Sequence, residues 1–372
     1  MSASVPPSTL PSRTTPDGFE IRWIGFNQDF SSFSVGTDTG FSIFDVDPLK
    51  PRLSRDPFLP SPGGIGIVEQ LFRCNILALV GGGDNPKWPV NMVVLWDDHL
   101  GKKLGELEFH HPVRAVRLKR DRIFIQCESK LTVYSFQDLS VLRRIDTLPN
   151  PKGILAVSGT HPIFACPGVR AGDLYLNRGS SDSVHWPHTD SLPPPMERHK
   201  SKACEHALTC IALSQDGELV ATGSETGTIV RVWRTSNLDN CLFEFRRGTE
   251  SSAITQLVFN RDASLLLVTS EKPTIHMFSL TDRVTNTGSK LSLFGGYFGS
   301  VWSCAQFTST SLAPRYVCFG ADGHSVVVIA QDGSFWKQAF KIEDKTVIVS
   351  VTVEETCFLI PRPLSTNTIP DV

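Results

Sequence analysis

The sequence predicts an all-β fold, a seven-bladed β-propeller, and three observations carry that expectation. Helical periodicity is nearly absent: no long stretch repeats apolar side chains at i, i+3, i+4 and i+7. Short runs rich in Val, Ile, Phe and Thr recur instead, separated by Gly, Asp, Asn and Pro. Finally, the chain repeats itself. Residues 216–233 and 262–278 align without an insertion, so that Asp216 and Asp262, Ser224 and Ser270, Thr228 and Thr274, and Ile229 and Ile275 all stand 46 residues apart. A period slightly above 40, with a Trp or Phe late in the third strand, describes a propeller blade. Trp96-Asp97 is a literal Trp-Asp pair, which makes the propeller one of WD40 type. A single blade cannot bury both faces, so the repeats must stack radially.

Taken in order, the expected units are 20–56, 63–110, 111–150, 153–192, 206–248, 253–298 and 300–340. Their strands include Ile21–Phe26, Phe41–Val46, Met92–Trp96, Ala115–Leu118, Arg122–Cys127, Leu131–Phe136, Ala207–Leu213 and Ile229–Arg234. A weaker third copy of the repeat runs over Tyr316–Ile329, and Val347–Val353 reads as one more strand completing the ring near the N-terminus. The propeller is expected over 19–362, between disordered tails at 1–18 and 363–372. Residues 179–204, with Pro193-Pro194-Pro195, read as a long loop between the fourth and fifth blades. Residues 281–299 read as a loop of the sixth. The two to three domains that 372 residues would suggest thus become one toroidal domain.

Composition excludes several classes. A net charge of −2 argues against binding nucleic acid through bulk charge. No apolar run approaches the roughly 18 residues that span a bilayer. The Ser/Thr/Pro-rich start does not read as a secretory signal. Nine scattered cysteines without a Cys-x-x-Cys pair are expected to be reduced and buried, as in a cytosolic protein. Gly81-Gly82-Gly83 lacks the Lys-Ser/Thr of a P-loop. His185 and His188 have zinc-like spacing but no second ligand pair, and read as surface histidines. No catalytic motif, metal site or cofactor site emerges.

The strongest local signal is Phe245-Arg246-Arg247-Gly248 at the end of a strand. Successive side chains of an extended segment point to opposite sides. Two adjacent arginines there address two pockets, one on each flank, and Gly248 ends the strand without a side chain in the way. A guanidinium fork suits phosphate. Beside it, Ser224, Gly227, Thr228 and Arg231 occupy the third-strand hairpin of the fifth unit, and Thr269, Ser270, Thr274 and His276 the matching place in the sixth. Hydroxyls next to Arg or His make a phosphate-binding lining. The plainer alternative stays open: a solvated arginine pair that blunts an edge strand, beside ordinary turn hydroxyls.

Phe-Arg-Arg-Gly in a seven-bladed propeller resembles the PROPPINs, a family of β-propellers that bind polyphosphoinositides and include the WIPI proteins of autophagy. The resemblance extends over Gly25-Phe26-Asn27-Gln28-Asp29, Asn85-Pro86-Lys87-Trp88-Pro89, Val94-Leu95-Trp96-Asp97-Asp98, Val113–Leu118, Arg120–Ile123, Tyr297-Phe298 and Trp302-Ser303. The second and third of these segments look most like the shorter WIPI branch. The resemblance implies two headgroup sites for phosphatidylinositol 3-phosphate and 3,5-bisphosphate. The first maps onto Ser224, Gly227, Thr228, Arg231 and Arg246, the second onto Arg247, Gly248, Thr269, Ser270, Thr274 and His276. Relatives often carry a His before the first strand of the fifth blade. Here the segment is Ala203-Cys204-Glu205-His206, so either Cys204 replaces that His or His206 has shifted.

The family also has a membrane-inserting loop in the sixth blade. Here it would use Leu291, Leu293, Phe294, Tyr297 and Phe298, with Gly296 where a Pro often precedes Tyr-Phe. Some of these apolar residues could equally be strand core. The resemblance implies a monomeric, non-enzymatic, cytoplasmic protein, held peripherally on preautophagosomal, endosomal or vacuolar/lysosomal membranes. Asn27 and Asp29 match the segment that contacts the large autophagy lipid-transfer protein, and would otherwise form a β-turn. The rival expectation is a propeller scaffold that binds only proteins.

Overall fold

The computed structural model describes residues 20–178, 196–200, 202–288, 301–309 and 311–358. The expected tails, His185 and His188, and all five apolar residues of the expected insertion loop lie outside the described residues.

Among the described residues, thirty strands form seven sheets arranged as the blades of a propeller, antiparallel but for one pair. Blade 1 is β1 (Ile21–Phe26), β2 (Ser32–Thr37), β3 (Phe41–Asp45) and β4 (Lys50–Arg55), paired in that order. Blades 2 and 3 repeat the arrangement, from Ile65 to Glu108 and from Ala115 to Asp146. Blade 4 starts at β13 (Ala156–Val157) and closes with β16 (Met196–Lys200). Residues 179–204 are therefore not all loop, because β16 supplies a fourth strand on Leu174–Arg178.

Blade 5 is β17 (Leu208–Leu213), β18 (Leu219–Ser224), β19 (Ile229–Arg234) and β20 (Asn237–Arg246). Blade 6 is β21 (Ile254–Phe259), β22 (Leu265–Ser270), β23 (Thr274–Ser279) and β26 (Ala305–Thr308). Its last strand lies beyond 298, where the unit was expected to end, and blade 7 correspondingly runs from β27 (Arg315–Phe319) through β28 (Ser325–Ala330) and β29 (Ser334–Glu343) to β30 (Thr346–Cys357). Val347–Val353 is thus part of the outer strand of blade 7, paired with β29, and does not close the ring beside the N-terminus. Two short strands, β24 (Thr287–Gly288) and β25 (Val301–Trp302), sit inside the expected loop and at its end; they pair with each other and extend blade 5, β25 lying parallel to β20.

The alternation of side chains across each strand explains the packing. Every strand feeds one apolar set to the blade before it and the other to the blade after. Seven separate buried clusters result, one at each blade interface. In β19, for example, Trp233 joins the cluster against blade 4 while Val230 and Val232 join the cluster against blade 6. The outer strands of the first three blades are largely polar and exposed, as in Lys102–Glu108. The innermost strands surround a cavity of about 1260 Å³ that includes the half-buried Arg117 and the buried Glu69. Burial pushes Glu69 up to about 7, against the pull of Arg117.

All nine cysteines are unpaired, but Cys74, Cys241 and Cys357 are exposed, against the expectation that they are buried. Each lies outside the apolar inner strands.

Candidate functional site

The two hydroxyl-bearing hairpins and the arginine pair converge on one rim, where the β18–β19 and β22–β23 turns flank the end of β20. The ladder between β19 and β20 sets Ile229 opposite Arg246 and continues one step further, with the Arg247 N–H donating to the Thr228 carbonyl at 2.9 Å. Alternation then separates the arginines. Phe245 points into the cluster between blades 5 and 6 and stacks on Phe278 at 4.7 Å between ring centres. Arg247, two residues on, shares that side. Glu244 and Arg246 share the other, facing blade 4.

On the blade 4 side stand Ser224, Arg231 and Arg246. Ser224 is buried, and its Oγ lies 3.1 Å from Thr226 Oγ1 and accepts the Gly227 N–H at 3.4 Å. Gly227 has a φ of +58°, and a Cβ there would stand 1.8 Å from the Ser252 carbonyl oxygen. Its lack of a side chain is therefore a requirement of the turn pressed on the next blade. Arg231 Nε donates to Glu244 at 2.8 Å and Nη1 to the Ala203 carbonyl at 3.3 Å. Arg246 is half-buried and level with Trp302 of β25. Of the two alternatives before β17, Cys204 lines this side: it is buried, 3.5 Å from Thr222 Oγ1 and within the electrostatic reach of Arg231. His206 is exposed.

On the blade 6 side, Arg247 is buried. Its Nε donates to the Gly227 carbonyl at 2.8 Å and its Nη2 to the Glu250 carbonyl at 2.6 Å. Burial lowers its pKa, with Glu250 acting in the opposite sense. Ser270 ends β22 and Thr274 begins β23, the former buried and the latter half-buried. His276 is buried beneath them, its Nδ1 3.3 Å from Ser303 Oγ. Burial, reinforced by the Arg247 charge, pushes His276 down to about 4, so the ring is neutral at pH 7. A Cβ at Gly248 would meet nothing within 4 Å, so this glycine answers no packing demand and leaves the approach to Arg247 open.

One expected residue falls elsewhere. Thr269 alternates with Leu265 and Leu267, which face blade 7, and its hydroxyl lies 2.8 Å from Thr255 Oγ1 on β21. It is on the opposite face of β22 from Ser270. Asn27 is buried in its turn, accepting the Ser32 N–H at 3.1 Å, while Asp29 is exposed and bonds Ser31. Only Asp29 of that pair presents a surface.

Sequence reasoning missed four neighbours: Glu244 beside Arg231, Ser303 beside His276, and the ion pair of Lys272 with Glu250 at the mouth of the blade 6 side. The alternation rule could have found Glu244, two residues before Arg246. Ser303 comes from beyond a long loop, and Lys272 and Glu250, though close in sequence to site residues, meet only because two turns of neighbouring blades are brought together.

The family model of the PROPPINs matches residues 21–317. This chain belongs to the PROPPIN family. It is 32% identical over 343 residues to SVP1-like protein 2 of Pichia angusta, covering 87% of this chain and 92% of the relative. It is 31% identical over 332 residues to Autophagy-related protein 18e of Arabidopsis thaliana, covering 86% and 84%. Among solved structures it is similar to Kluyveromyces lactis Hsv2, with a TM-score of 0.71 at 21% identity over 90% of this chain and 99% of the other. A complex of KlAtg21 with the coiled coil of AgAtg16 matches with a TM-score of 0.63 at 22% identity over 91% and 99%. As a PROPPIN with autophagy-related relatives, it is a β-propeller of an autophagy protein family. No described helix is long and apolar enough to cross a membrane. Among the described residues, no three His, Cys, Asp or Glu side chains gather as a metal site.

Proposed function

We propose that this PROPPIN is a non-catalytic peripheral-membrane effector that binds phosphatidylinositol 3-phosphate and 3,5-bisphosphate and recruits autophagy machinery. One observation carries the reading: adjacent arginines on opposite faces of β20, each next to a hairpin that brings hydroxyls. The first headgroup would meet Ser224, Gly227, Arg231 and Arg246, with Thr228 left out because its place opposite Arg247 turns it to the blade 6 side. The second would meet Arg247, Ser270, Thr274 and His276 beside Gly248, with Thr269 left out by its orientation. Guanidinium N–H groups and hydroxyls donate to phosphate oxygens, and Arg246 and Arg247 supply charge that burial in a partly dry groove strengthens.

Each site alone is weak, and two on one rim act through effective concentration. The propeller then stands edge-on to the bilayer, and Leu291, Leu293, Phe294, Tyr297 and Phe298 of the segment 281–299 would supply an apolar contact with it. Blades away from this rim are left for partners. The solved complex of a related propeller with a coiled coil supports a protein partner, and the exposed Asp29 is a contact for the lipid-transfer protein.

The test is flotation with vesicles carrying phosphatidylinositol 3-phosphate, using the intact protein and an Arg246→Thr, Arg247→Thr double variant. Binding should be lost in the double variant and partly kept in each single one. Undiminished binding in the double variant would overturn the two-site reading, and no binding by the intact protein would leave the protein-only scaffold as the correct account.

A further inference from the structure

We propose that Lys272 is a further cation of the second site and selects headgroups that carry two phosphates over those that carry one. The inference rests on the phosphoinositide reading above. It starts from a shortage of charge. Among the described residues, the guanidinium that faces the blade 6 side from β20 is that of Arg247, and two of its N–H groups already serve the Gly227 and Glu250 carbonyls. His276 is neutral there. A phosphate monoester carries nearly two negative charges at pH 7, so one arginine and a few hydroxyls suit a single phosphate and leave a second without a counter-charge.

Lys272 is placed to supply it. It occupies the turn between Ser270 and Thr274, and its backbone is held on both sides. The Lys272 N–H donates to Ser270 Oγ at 3.3 Å, and the Lys272 carbonyl accepts from Arg315 Nη2 at 2.6 Å. Arg315, buried and reaching from blade 7, fixes the turn. The side chain remains half-exposed, and its ammonium pairs with the Glu250 carboxylate. Glu250 therefore touches both cations, Arg247 through its carbonyl and Lys272 through its carboxylate. The guanidinium and the ammonium thus meet at the same residue, Glu250, beside the place a headgroup seated on Arg247 would take.

The Glu250 carboxylate acts as an internal competitor. The pair is exposed, and such pairs contribute little, so a dianion displaces it readily while a neutral ring hydroxyl does not. A lysine, a compact charge on a flexible stem, can move from carboxylate to phosphate without moving the turn.

The experiment uses the full chain with vesicles of matched total charge, containing phosphatidylinositol, its 3-phosphate or its 3,5-bisphosphate. Soluble inositol 1,3,5-trisphosphate serves as competitor to separate headgroup recognition from surface charge. Lys272→Gln should weaken binding to the bisphosphate about 5-fold or more and leave the 3-phosphate within about 2-fold, as expected for one lost charge-assisted bond. Glu250→Gln should strengthen bisphosphate binding. An equal loss on both lipids, or none on either, overturns the proposal. If the intact protein ignores all phosphoinositides, this inference and the function it rests on both fall. If Arg247→Thr abolishes the second site while Lys272→Gln leaves the lipid ratio unchanged, only this inference falls. Melting temperatures of both variants should match the parent, since both side chains are exposed.

Discussion

At Arg247 and His276 a cation and a neutral ring share one buried spot, and the ring's titration is readable as stability. The folded-state pKa of His276, about 4, lies below its ordinary 6.5. Between those values the unfolded chain holds a proton that the folded chain refuses. The contribution is complete above about pH 6.5 and is lost as pH falls toward 4. At about 1.4 kcal/mol per pH unit, lowering pH from 6.5 to 5 costs about 2 kcal/mol from this residue. Urea unfolding of the parent and of His276→Gln at pH 7.5 and 5 should show the parent losing that much more than the variant. Equal losses would mean that the ring is not held neutral. Glu69, which titrates in the opposite sense, is common to both proteins and cancels. The residue types at Arg246, Arg247, Ser270, Thr274 and His276 were legible in the sequence, but the 46-residue register holds only to Ser270: β23 follows β19 by 45, so Thr274 matches Ile229 and not Thr228. Lys272, Glu250 and Ser303 were not legible, since their roles depend on which turn meets which.

Among the elements, the β22–β23 hairpin makes a sharper distinction than composition does. Its neighbouring hydroxyls at 269 and 270 point to different blades. Thr274→Ala should weaken phosphoinositide binding by several-fold, whereas Thr269→Val should leave it unchanged, by vesicle co-sedimentation. A loss in Thr269→Val would show that the assigned face of β22 is wrong. The β18–β19 hairpin gives a second expectation. Gly227→Ala forces a side chain into a left-handed turn and against the Ser252 carbonyl. Left-handed backbone and overpacking together cost about 2–4 kcal/mol. Denaturant unfolding should reveal that loss, and an unchanged midpoint would refute the tight contact. The three inner strands of each blade were the legible ones, since burial on both sides writes apolar residues into them. Fourth strands were harder. Met196–Lys200 is polar and follows a Pro-rich stretch, and Ala305–Thr308 follows a long excursion from β23, so neither carries the pattern of a strand joined to its own unit. The loop stem has no sequence signature at all, yet β25 runs alongside β20 and ties the loop to Arg246.

For the whole molecule, the question is what closes the ring. Blade 1 takes all four strands from the start of the propeller and blade 7 all four from its end, so no strand is shared across the junction. Closure rests on side chains. Ile21, Phe33 and Val35 pack with Val327, Ile329 and Phe335 in one cluster. Gln331 Nε2 donates to the Ile21 carbonyl at 2.7 Å. Lys337 Nζ reaches both Asp47 oxygens at 2.9 Å, with Asp322 at 3.7 Å. Both members of the main pair are largely covered, Lys337 at 20% and Asp47 at 18% side-chain exposure, so salt screens them less than a surface pair. Lys337→Met keeps the apolar stem, removes the charge and leaves Asp47 and Asp322 facing each other. The expected cost is about 1–2 kcal/mol, between the values for exposed and buried pairs. In a chain this long that lowers the melting temperature by about 1–3 °C. Because the two carboxylates repel, part of the loss should return in 0.5 M salt. A melting curve that does not move would place closure in the apolar cluster alone. Val327→Ala, which removes two methyl groups from that cluster, should then unfold the protein at the lower temperature that Lys337→Met failed to produce.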